Sequence, residues 1–374
     1  MSAAGRLAVG SVAAGRRIAV DARPLCHPGT GIYRYTRELL LRMCRLGGEW
    51  FLYSPQSYAV DGLDLPNVRH RSAGLPTALR AGQLGHVLFP LWARRDRVEV
   101  FWGPRHQLPV LPRTVRTAVT VHDLVWKDYG ETMRFPGRQI ENFFTPRALA
   151  RADAIAVVSQ FTRRRLEHYF PQYASRVTVV PNASMLAGDA APGELAAPGA
   201  GGYFLFVGTL EPRKNLPRLL RAYRRYVDAA PRARRLKIVG AAGWGGEDIA
   251  GLVLELGLAQ RVQLLGKVGD DALRELYRGA HALLMPSLYE GFGLPVVEAL
   301  SLGVPVIVSR DSAMAEVAGS AGLYVDPESE AEMSAALASM DAGGEPYELL
   351  RSRTAVEASR YDWDDSAATM ARLL

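Results

Sequence analysis

Two glutamates eight residues apart, Glu290 and Glu298, are the residues of this sequence whose spacing most suggests chemistry. Between them comes a glycine-rich turn, which consists of Gly291, Phe292, Gly293 and Leu294. Glycines let a ligand approach the backbone closely, and Pro295 suits the first turn of a helix, where its missing N–H costs nothing. The amides and the dipole of such a helix favour a phosphate or another anion. Because carboxylates accept hydroxyl protons, the element predicts a ligand with both phosphates and sugar hydroxyls, such as a sugar nucleotide.

A pair of adjacent cations, Arg213 and Lys214, supports that prediction. They follow Gly208 at the end of a hydrophobic strand predicted over Tyr203–Val207, and a helix is predicted from Leu216 to Ala229. Open α/β sheets bind ligands at the carboxyl ends of their strands. A planar guanidinium beside an ammonium group suits a diphosphate. Each element alone also fits a solvated loop or a turn without a ligand, but their agreement favours a shared site.

These residues resemble those of the retaining glycosyltransferases of family 4. The stretch from Glu290 to Glu298 resembles the family's E-x7-E element, and Gly208–Asn215 resembles its donor-phosphate loop. The resemblance extends from about Ile18 to Trp363. It includes further short motifs in the family's order, among them Gly29-Thr30-Gly31, Val121-His122-Asp123, Val180-Pro181-Asn182 and Ile238-Val239-Gly240. One departure is Ala183, where many relatives have glycine; it lies near the interdomain link and leaves the chemistry untouched.

The resemblance implies a role for each site residue. Arg213 and Lys214 would neutralise the leaving diphosphate, while Glu290 would hold sugar hydroxyls and Glu298 the ribose diol. His122 would contact the transferred sugar, although a lone histidine after a strand is usually structural. The rest of substrate binding would come from Gly29, Thr30, Gly31, Gly208, Gly291, Phe292, Gly293 and Leu294. The leaving phosphate oxygen would take the acceptor proton, in a substitution on one face of the sugar that needs neither a metal nor a cofactor.

The donor and the acceptor are expectations from the same resemblance. The wording of the two motifs is most similar to bacterial mannosyltransferases of surface-polysaccharide assembly. GDP-mannose is therefore the predicted donor, with a rhamnosyl or glucosyl donor next, and the predicted acceptor is a saccharide or a lipid-linked saccharide. Two alternatives are a non-catalytic sugar-nucleotide-binding subunit of a polysaccharide assembly complex and a sugar-nucleotide epimerase of the same architecture.

Strand and helix signals alternate along the chain, which predicts an α/β fold with parallel sheets covered on both faces. A stretch rich in Ala, Gly and Pro predicts a linker. Together with the resemblance, this gives two Rossmann-like domains with parallel sheets facing a cleft, the GT-B architecture. The predicted segments are a disordered extension at 1–16, an N-terminal acceptor-binding domain at 17–186, a linker at 187–202, a C-terminal nucleotide-sugar-binding domain at 203–350 and a C-terminal helix at 351–374 that crosses back to the N-terminal domain.

The composition limits the partners and the compartment. The formal net charge is +7 over 374 residues, but no nucleic-acid-binding motif accompanies it, so nucleic acid is not a predicted partner. Cys26 and Cys44 are too few for a disulfide framework, which indicates a reducing compartment, the cytoplasm. No apolar run approaches the length of about 20 residues that a membrane span needs.

The stretch Leu84–Arg95 combines large apolar residues with a basic pair. It predicts either peripheral contact with the anionic inner membrane face or a core helix with an exposed basic end.

Overall fold

The computed structural model describes residues 15–75, 84–186, 202–230, 232–245 and 248–374. The predicted extension at 1–16 and the predicted linker at 187–202 lie outside these ranges, apart from residues 15, 16 and 202. The described chain divides into two compact units. The first comprises the described residues up to Trp126, Phe135–Asn182 and Asp362–Leu374, and the second comprises Lys127–Arg134 and the described residues from Ala183 to Tyr361.

The first unit is built on a parallel sheet that has seven strands within the described residues, in the order β3-β2-β1-β4-β5-β6-β7. Its strands are β1 (Arg17–Asp21), β2 (Glu49–Gln56), β3 (Val68–Leu75), β4 (Val100–Gly103), β5 (Arg116–Val121), β6 (Ala154–Val157) and β7 (Val177–Val179). The strands β4 and β6 are wholly buried and apolar, and β1 is buried from Ile18 to Asp21, as expected for a parallel sheet covered on both faces. The edge strand β3 carries mostly exposed polar residues, and the apolar pattern of the sequence does not predict it.

Helices alternate with these strands. They are α1 (Gly31–Met43), α2 (Gly85–Arg95), α3 (Val125–Asp128), α4 (Gly137–Arg151) and α5 (Gln160–Tyr169), and the short α3 lies at the boundary with the second unit. The helix α1 is followed by one 3₁₀ turn, Cys44–Leu46. The side chain of Thr30 begins α1, since its hydroxyl oxygen accepts a hydrogen bond from the amide of Tyr33.

The second unit is built on a parallel sheet of six strands within the described residues, in the order β10-β9-β8-β11-β12-β13. Its strands are β8 (Tyr203–Val207), β9 (Leu236–Val239), β10 (Val262–Gly266), β11 (Ala280–Met285), β12 (Val306–Ser309) and β13 (Gly322–Val325). The central strand β11 is buried along its whole length. Its helices are α6 (Leu216–Ala229), α7 (Ile249–Glu255), α8 (Asp270–Arg278), α9 (Leu294–Ser301), α10 (Ala313–Ala318), α11 (Glu330–Ala342) and α12 (Gly344–Ala358).

The last helix, α13 (Trp363–Leu373), belongs to the first unit. The side chain of Asp362 begins it by accepting hydrogen bonds from the amides of the first turn at 2.7 and 3.0 Å. The ring of Trp363 packs 6.2 Å from that of Tyr35 on α1, and Asp364 pairs with Arg42 at 2.6 Å. Residues 351–374 therefore hold the end of α12 and a separate α13, where the sequence pattern predicts one helix.

Both sheets reverse their strand order once. In the first unit the reversal lies between β1 and β4, and in the second it lies between β8 and β11. At such a point the connections leave in opposite directions, and the carboxyl ends of the two strands border a crevice where open α/β sheets bind ligands. The prediction of an α/β chain with two parallel sheets is confirmed, and each sheet has one such position.

Candidate active site

The loop that follows β8 is tied to the loop that follows β11, across the reversal of strand order. Asn215 stands immediately before α6 with a left-handed backbone, φ 62°. Its Nδ2 donates to the carbonyl oxygens of Pro286 at 3.0 Å and Pro327 at 2.6 Å. The amide of Leu288 donates to the carbonyl oxygen of Arg213 at 2.8 Å. These bonds set the position of the backbone that carries the two predicted cations.

Arg213, Lys214 and Glu290 form one ion cluster at these loops. Arg213 Nη1 donates to Glu290 Oε2 at 2.7 Å and to the carbonyl oxygen of Tyr289 at 3.0 Å. Lys214 Nζ donates to Glu290 Oε1, so each carboxylate oxygen of Glu290 accepts from a cation. Nη2 of Arg213 lies 2.5 Å from Oε1 of Glu211, a carboxylate that the sequence pattern does not single out. Lys214 and Glu290 are buried, whereas 23% of the Arg213 side chain is exposed.

The cluster keeps its carboxylate ionised. Burial alone would raise the pKa of Glu290, but the charges of Arg213 and Lys214 outweigh burial and hold the pKa at about 2. Burial lowers the pKa of Lys214, and Arg213 acts in the same direction against the opposing charge of Glu290. Burial raises the pKa of Glu211, and the charges of Arg213 and Lys214 offset this effect only in part. Glu290 is therefore an ionised acceptor at neutral pH, and an incoming diphosphate would compete with its oxygens for the same two cations.

The glycine turn that follows Glu290 leads directly into α9. Gly293 is the residue before the helix and has φ 110°, a left-handed conformation that favours glycine. A Cβ at this position would also lie 3.0 Å from Cγ of Met314. Pro295 stands in the first turn, as predicted. Phe292 is buried, and its ring lies edge-on to that of Tyr361 at 5.3 Å. The turn is therefore held by Phe292 before Gly293 and by the start of α9 after it.

The loop after β8 passes close to the backbone that follows β9. The amide of Gly208 donates to the carbonyl oxygen of Val239 at 2.9 Å. Gly240 has φ 158°, and a Cβ there would lie 1.8 Å from the carbonyl oxygen of Gly208. Only glycine can occupy that position without moving the loop, and Lys214 folds back over Gly208 within this arrangement. The glycine of the predicted Ile238-Val239-Gly240 motif thus supports the site through its backbone.

Glu298 lies in α9 and is 2% exposed. Tyr277, near the end of α8, donates from its hydroxyl to Glu298 Oε2 at 3.0 Å. The sequence pattern does not single out Tyr277, because it stands 21 residues away from its partner. Binding of a ribose diol by Glu298 stays a prediction.

In the first unit, His122 follows β5 and is 9% exposed. Its Nε2 donates to the carbonyl oxygen of Pro104 at 2.7 Å, and its ring meets that of Tyr35 edge-on at 5.0 Å. Burial lowers the pKa of His122 to about 3, and the neighbouring His106 adds to this effect. His122 is therefore neutral at physiological pH, and since Nε2 carries the proton, Nδ1 is its acceptor nitrogen.

A second buried histidine, His106, supports the backbone of His122. Its Nε2 accepts a hydrogen bond from the His122 amide at 2.8 Å, so the ring proton is on Nδ1. Nδ1 lies 3.2 Å from Glu141 Oε2, which also accepts from the hydroxyl of Thr145 at 2.6 Å. Burial would raise the pKa of Glu141, but its contacts with His106 and Thr145 hold that pKa at about 2. The sequence indicates this contact only through the position of His106, a histidine that closely follows the strand β4.

Gly29, Thr30 and Gly31 are exposed at the start of α1, and Gly29 has φ 87°. The structure thus brings Arg213, Lys214 and Glu290 into direct contact in the second unit, whereas His122 and the Gly29–Gly31 segment belong to the first. Their predicted action on one common substrate stays a prediction. Within the described ranges, no group of three or more His, Cys, Asp and Glu side chains is arranged to hold a metal ion.

Two family models match this chain side by side. The model described as Glycosyltransferase Family 4 matches residues 29–183, which include His122. The model described as Glycosyl transferases group 1 matches residues 189–354, which include the ion cluster and Glu298. Together the two models span most of the sequence, and the first ends at residue 183, where the chain passes into the second unit.

Whole-length relatives agree with these models. The chain is 29% identical to the O-antigen chain mannosyltransferase B of Escherichia coli, over 381 residues that cover 93% of this chain and 97% of the relative. Sucrose-phosphate synthase from Thermosynechococcus elongatus has a similar structure, with a TM-score of 0.75 at 20% identity, and the match covers 96% of this chain and 98% of that one. Anabaena HepE in complex with UDP and glucose matches with a TM-score of 0.70 at 18% identity, over 95% and 97% of the two chains. At these identities the solved structures show the fold alone, and the GT-B architecture is confirmed.

Proposed function

This chain belongs to glycosyltransferase family 4, and we propose that it transfers mannose from GDP-mannose, with retention of configuration, to a saccharide or lipid-linked saccharide acceptor. The observation that carries this proposal is the Arg213–Lys214–Glu290 cluster at the reversal of strand order in the second sheet. Two cations at the carboxyl end of a strand suit a diphosphate, and an ionised carboxylate beside them suits sugar hydroxyls.

The two cations supply electrostatic stabilisation when the glycosidic bond breaks. The electron pair of the bond between the sugar C1 and the phosphate oxygen passes to the leaving diphosphate, whose charge grows. Arg213 Nη1 and Lys214 Nζ already point to one place, because both donate to Glu290. Donors aimed in advance at growing charge lower the barrier without reorganisation at the moment of reaction. The diphosphate would take over part of the hydrogen bonding that Glu290 now receives.

Release from the cations would make Glu290 available to the sugar. Its pKa of about 2 keeps it ionised at neutral pH, so it accepts hydrogen bonds from hydroxyl groups and is not poised to act as a general acid. The reaction we propose therefore needs no proton from Glu290. The acceptor oxygen bonds to C1 on the face that the phosphate leaves, and the acceptor proton passes to the leaving phosphate oxygen.

His122 is proposed to contact the transferred sugar as a neutral side chain. Its tautomer is set by the bond from Nε2 to the Pro104 carbonyl oxygen, and its backbone is held by His106. Because both its tautomer and its ring orientation are fixed, the neutral imidazole presents Nδ1 as a hydrogen-bond acceptor. Such an acceptor fits a sugar hydroxyl. General acid–base catalysis is not assigned to it, because a pKa of about 3 is far from the operating pH.

The choice of mannose rests on the relative from Escherichia coli, whose name is that of an O-antigen chain mannosyltransferase. The solved Anabaena relative holds UDP and glucose, so a uridine nucleotide is the principal competing donor. Purified protein incubated with a panel of GDP-, UDP- and dTDP-sugars tests both points, with hydrolysis followed by mass spectrometry. We expect release of GDP from GDP-mannose and tighter calorimetric binding of GDP than of UDP. Tighter binding of UDP would overturn the donor, and no hydrolysis of any donor would favour a non-catalytic binding protein.

A peripheral membrane position is the second part of the proposal, and it rests on the exposed face of α2. Leu84, Val87 and Leu91 are 46%, 62% and 62% exposed, and Arg94 and Arg95 follow at the exposed end of the helix. The opposite face, with Phe89 and Ala93, is buried. Large apolar side chains beside a basic pair suit the anionic headgroup region of a membrane.

A neighbouring helix extends the same surface. His86 on α2 stacks on Phe144 of α4 at 4.6 Å, and the adjacent Phe143 is 51% exposed. Arg147, one turn further along α4, lies over the Phe143 ring at 3.7 Å. In the part of the chain that the structure describes, no helix is both long and apolar enough to cross a membrane. A lipid-linked acceptor would place its reacting end near such a surface.

A further inference from the structure

The first sheet has its own reversal of strand order, and an arginine follows each of the two strands that flank it. Arg23 stands two residues after β1, and Arg105 stands two residues after β4. β1 and β4 are neighbours in register, with Val20 opposite Trp102, so both arginines emerge at the same edge of the sheet. The ion cluster of the second unit occupies the corresponding position in its own sheet. Neither arginine has a role in the chemistry described so far.

Arg23 is neutralised by a carboxylate. Nε and Nη2 of Arg23 donate to the two oxygens of Asp21 at 2.8 and 2.6 Å, and the Arg23 amide donates to Oδ1 at 3.1 Å. Both side chains are buried, at 3% and 0% exposure. This pair is a complete, desolvated salt bridge, and it leaves little of the Asp21 charge for a second cation.

Arg105 has no such partner. In the described part of the chain, no hydrogen bond or ion pair joins its guanidinium to an oxygen. The nearby carboxylates are already engaged, Asp21 by Arg23 and Glu141 by His106 and Thr145. Burial lowers the pKa of Arg105 and the Arg23 charge adds to this, yet a guanidinium stays protonated at neutral pH. Arg105 is partly buried, and a charge in such a place without a counter-ion is stabilised when an anion joins it.

The first turn of α2 adds further groups to this crevice. A Cβ on Gly85 would lie 3.4 Å from Cζ of Arg23, and Arg23 stacks over the Phe89 ring at 5.4 Å. His86, in the same turn, has an Nε2 that is buried without a hydrogen-bond partner. Burial lowers the pKa of His86, and the charges of Arg23 and Arg105 act in the same direction. The crevice thus collects an unpaired cation and an unpaired imidazole nitrogen next to a helix N-terminus.

We propose that this crevice binds a phosphate or diphosphate group on the acceptor, with Arg105 as its principal ligand and His86 as a second one. The inference rests on the proposed glycosyl transfer and adds the class of acceptor to it. A guanidinium with all its donors available binds phosphate oxygens in pairs, and both neighbouring carboxylates already accept hydrogen bonds from other donors. The same chemistry is offered by an isoprenyl diphosphate that carries a saccharide and by a soluble saccharide 1-phosphate.

Calorimetric titration of inorganic diphosphate into the full chain tests the site. Saturating GDP and UDP are present throughout, so that the cations of the second unit are occupied. We expect one diphosphate site in the wild type, at least tenfold weaker binding in Arg105→Gln and in His86→Ala, and a smaller loss in Arg105→Lys, which keeps the charge. Arg113→Gln, an exposed arginine in the same unit, is the matched control and should bind like the wild type. No binding by the wild type, or equal binding by Arg105→Gln, would overturn the proposal.

Acceptor kinetics separate the two sources of phosphate. One saccharide is compared as the free sugar, as its 1-phosphate and on an isoprenyl diphosphate. Arg105→Gln should lower kcat/KM at least tenfold for phosphorylated acceptors only, and a loss confined to the isoprenyl diphosphate identifies a lipid-linked acceptor. An equal loss of kcat/KM with the free sugar would show that Arg105 does not recognise the phosphate group of the acceptor. Donor hydrolysis by the wild type is measured in parallel. If hydrolysis occurs without diphosphate binding, the proposed function stands and this inference fails.

Discussion

Arg213 Nη1 donates to Glu290 Oε2 at 2.7 Å although the two residues are 77 positions apart in the chain. The contact exists because β8 and β11 are neighbours in the sheet, with Leu205 opposite Leu283 in register. Lys214 reaches the other oxygen of the same carboxylate. One residue pair therefore links the two sequence motifs, and the order of the strands creates the site that both motifs share.

Replacement of the guanidinium should slow the chemical step. We expect Arg213→Ala to lower kcat about 100-fold or more, because this cation acts mainly on charge that grows in the transition state. Steady-state transfer kinetics with the preferred donor measure the effect. Arg221→Ala, an exposed arginine on the neighbouring α6, is the control and should retain full activity. A folded Arg213→Ala enzyme with unchanged kcat would remove the cation from the mechanism.

The charge of Glu290 should make stability depend on acidity in a defined range. Its pKa is held at about 2 in the folded chain, below the ordinary value of 4.5. A carboxylate with a depressed folded pKa stabilises the fold above its unfolded pKa, and this contribution is lost as pH falls from about 4.5 towards about 2. The difference in Tm between wild type and Glu290→Gln should therefore be largest at neutral pH and shrink across that range. A difference in Tm that stays constant from pH 7 to pH 3 would show that the ion cluster does not stabilise the fold.

Much of the fold can be predicted from the sequence because buried parallel strands are short apolar runs. β8 and α6 occur at the bounds that the pattern predicts. The edge strand β3 cannot be found in this way, because its Arg69 and His70 are exposed and no apolar run marks it. A buried strand can thus be recognised from its apolar run, whereas a strand that pairs at the exposed edge of the sheet cannot.

The candidate site is predictable in its motifs but not in its contacts. The types and local spacing of Arg213, Lys214 and Glu290 indicate a site for an anion beside a carboxylate that accepts hydrogen bonds from hydroxyl groups. The additional carboxylate of Glu211 and the hydroxyl of Tyr277 do not follow from any pattern, since their roles depend on which loops the sheet order brings together. The support of His122 by His106 is of the same kind, because it joins the ends of two strands.

Transfer should continue without a divalent metal. Two cationic side chains and the start of α9 lie where the diphosphate is proposed to bind, and these can neutralise it without a metal. Activity measured after incubation with EDTA and gel filtration should stay within about twofold of the untreated enzyme. Complete loss of activity that manganese restores would mean that the diphosphate is held by a metal and that the two cations have another role.

Binding to anionic vesicles should depend on the exposed face of α2 and should weaken with salt. Each basic side chain near an anionic surface contributes about 1 kcal/mol, so Arg94→Gln with Arg95→Gln should reduce binding about tenfold or more. Val87→Ser with Leu91→Ser should reduce it through lost apolar burial. Co-sedimentation with phosphatidylglycerol vesicles at low and high salt measures both effects, since exposed charges are screened beyond about 8 Å at physiological ionic strength.

The matched control is Leu349→Ser with Val356→Ser, two residues on α12 that are 48% and 67% exposed but have no role in the proposed surface. Equal loss in the control pair, or no binding by the wild type at low salt, would leave a soluble acceptor as the better interpretation.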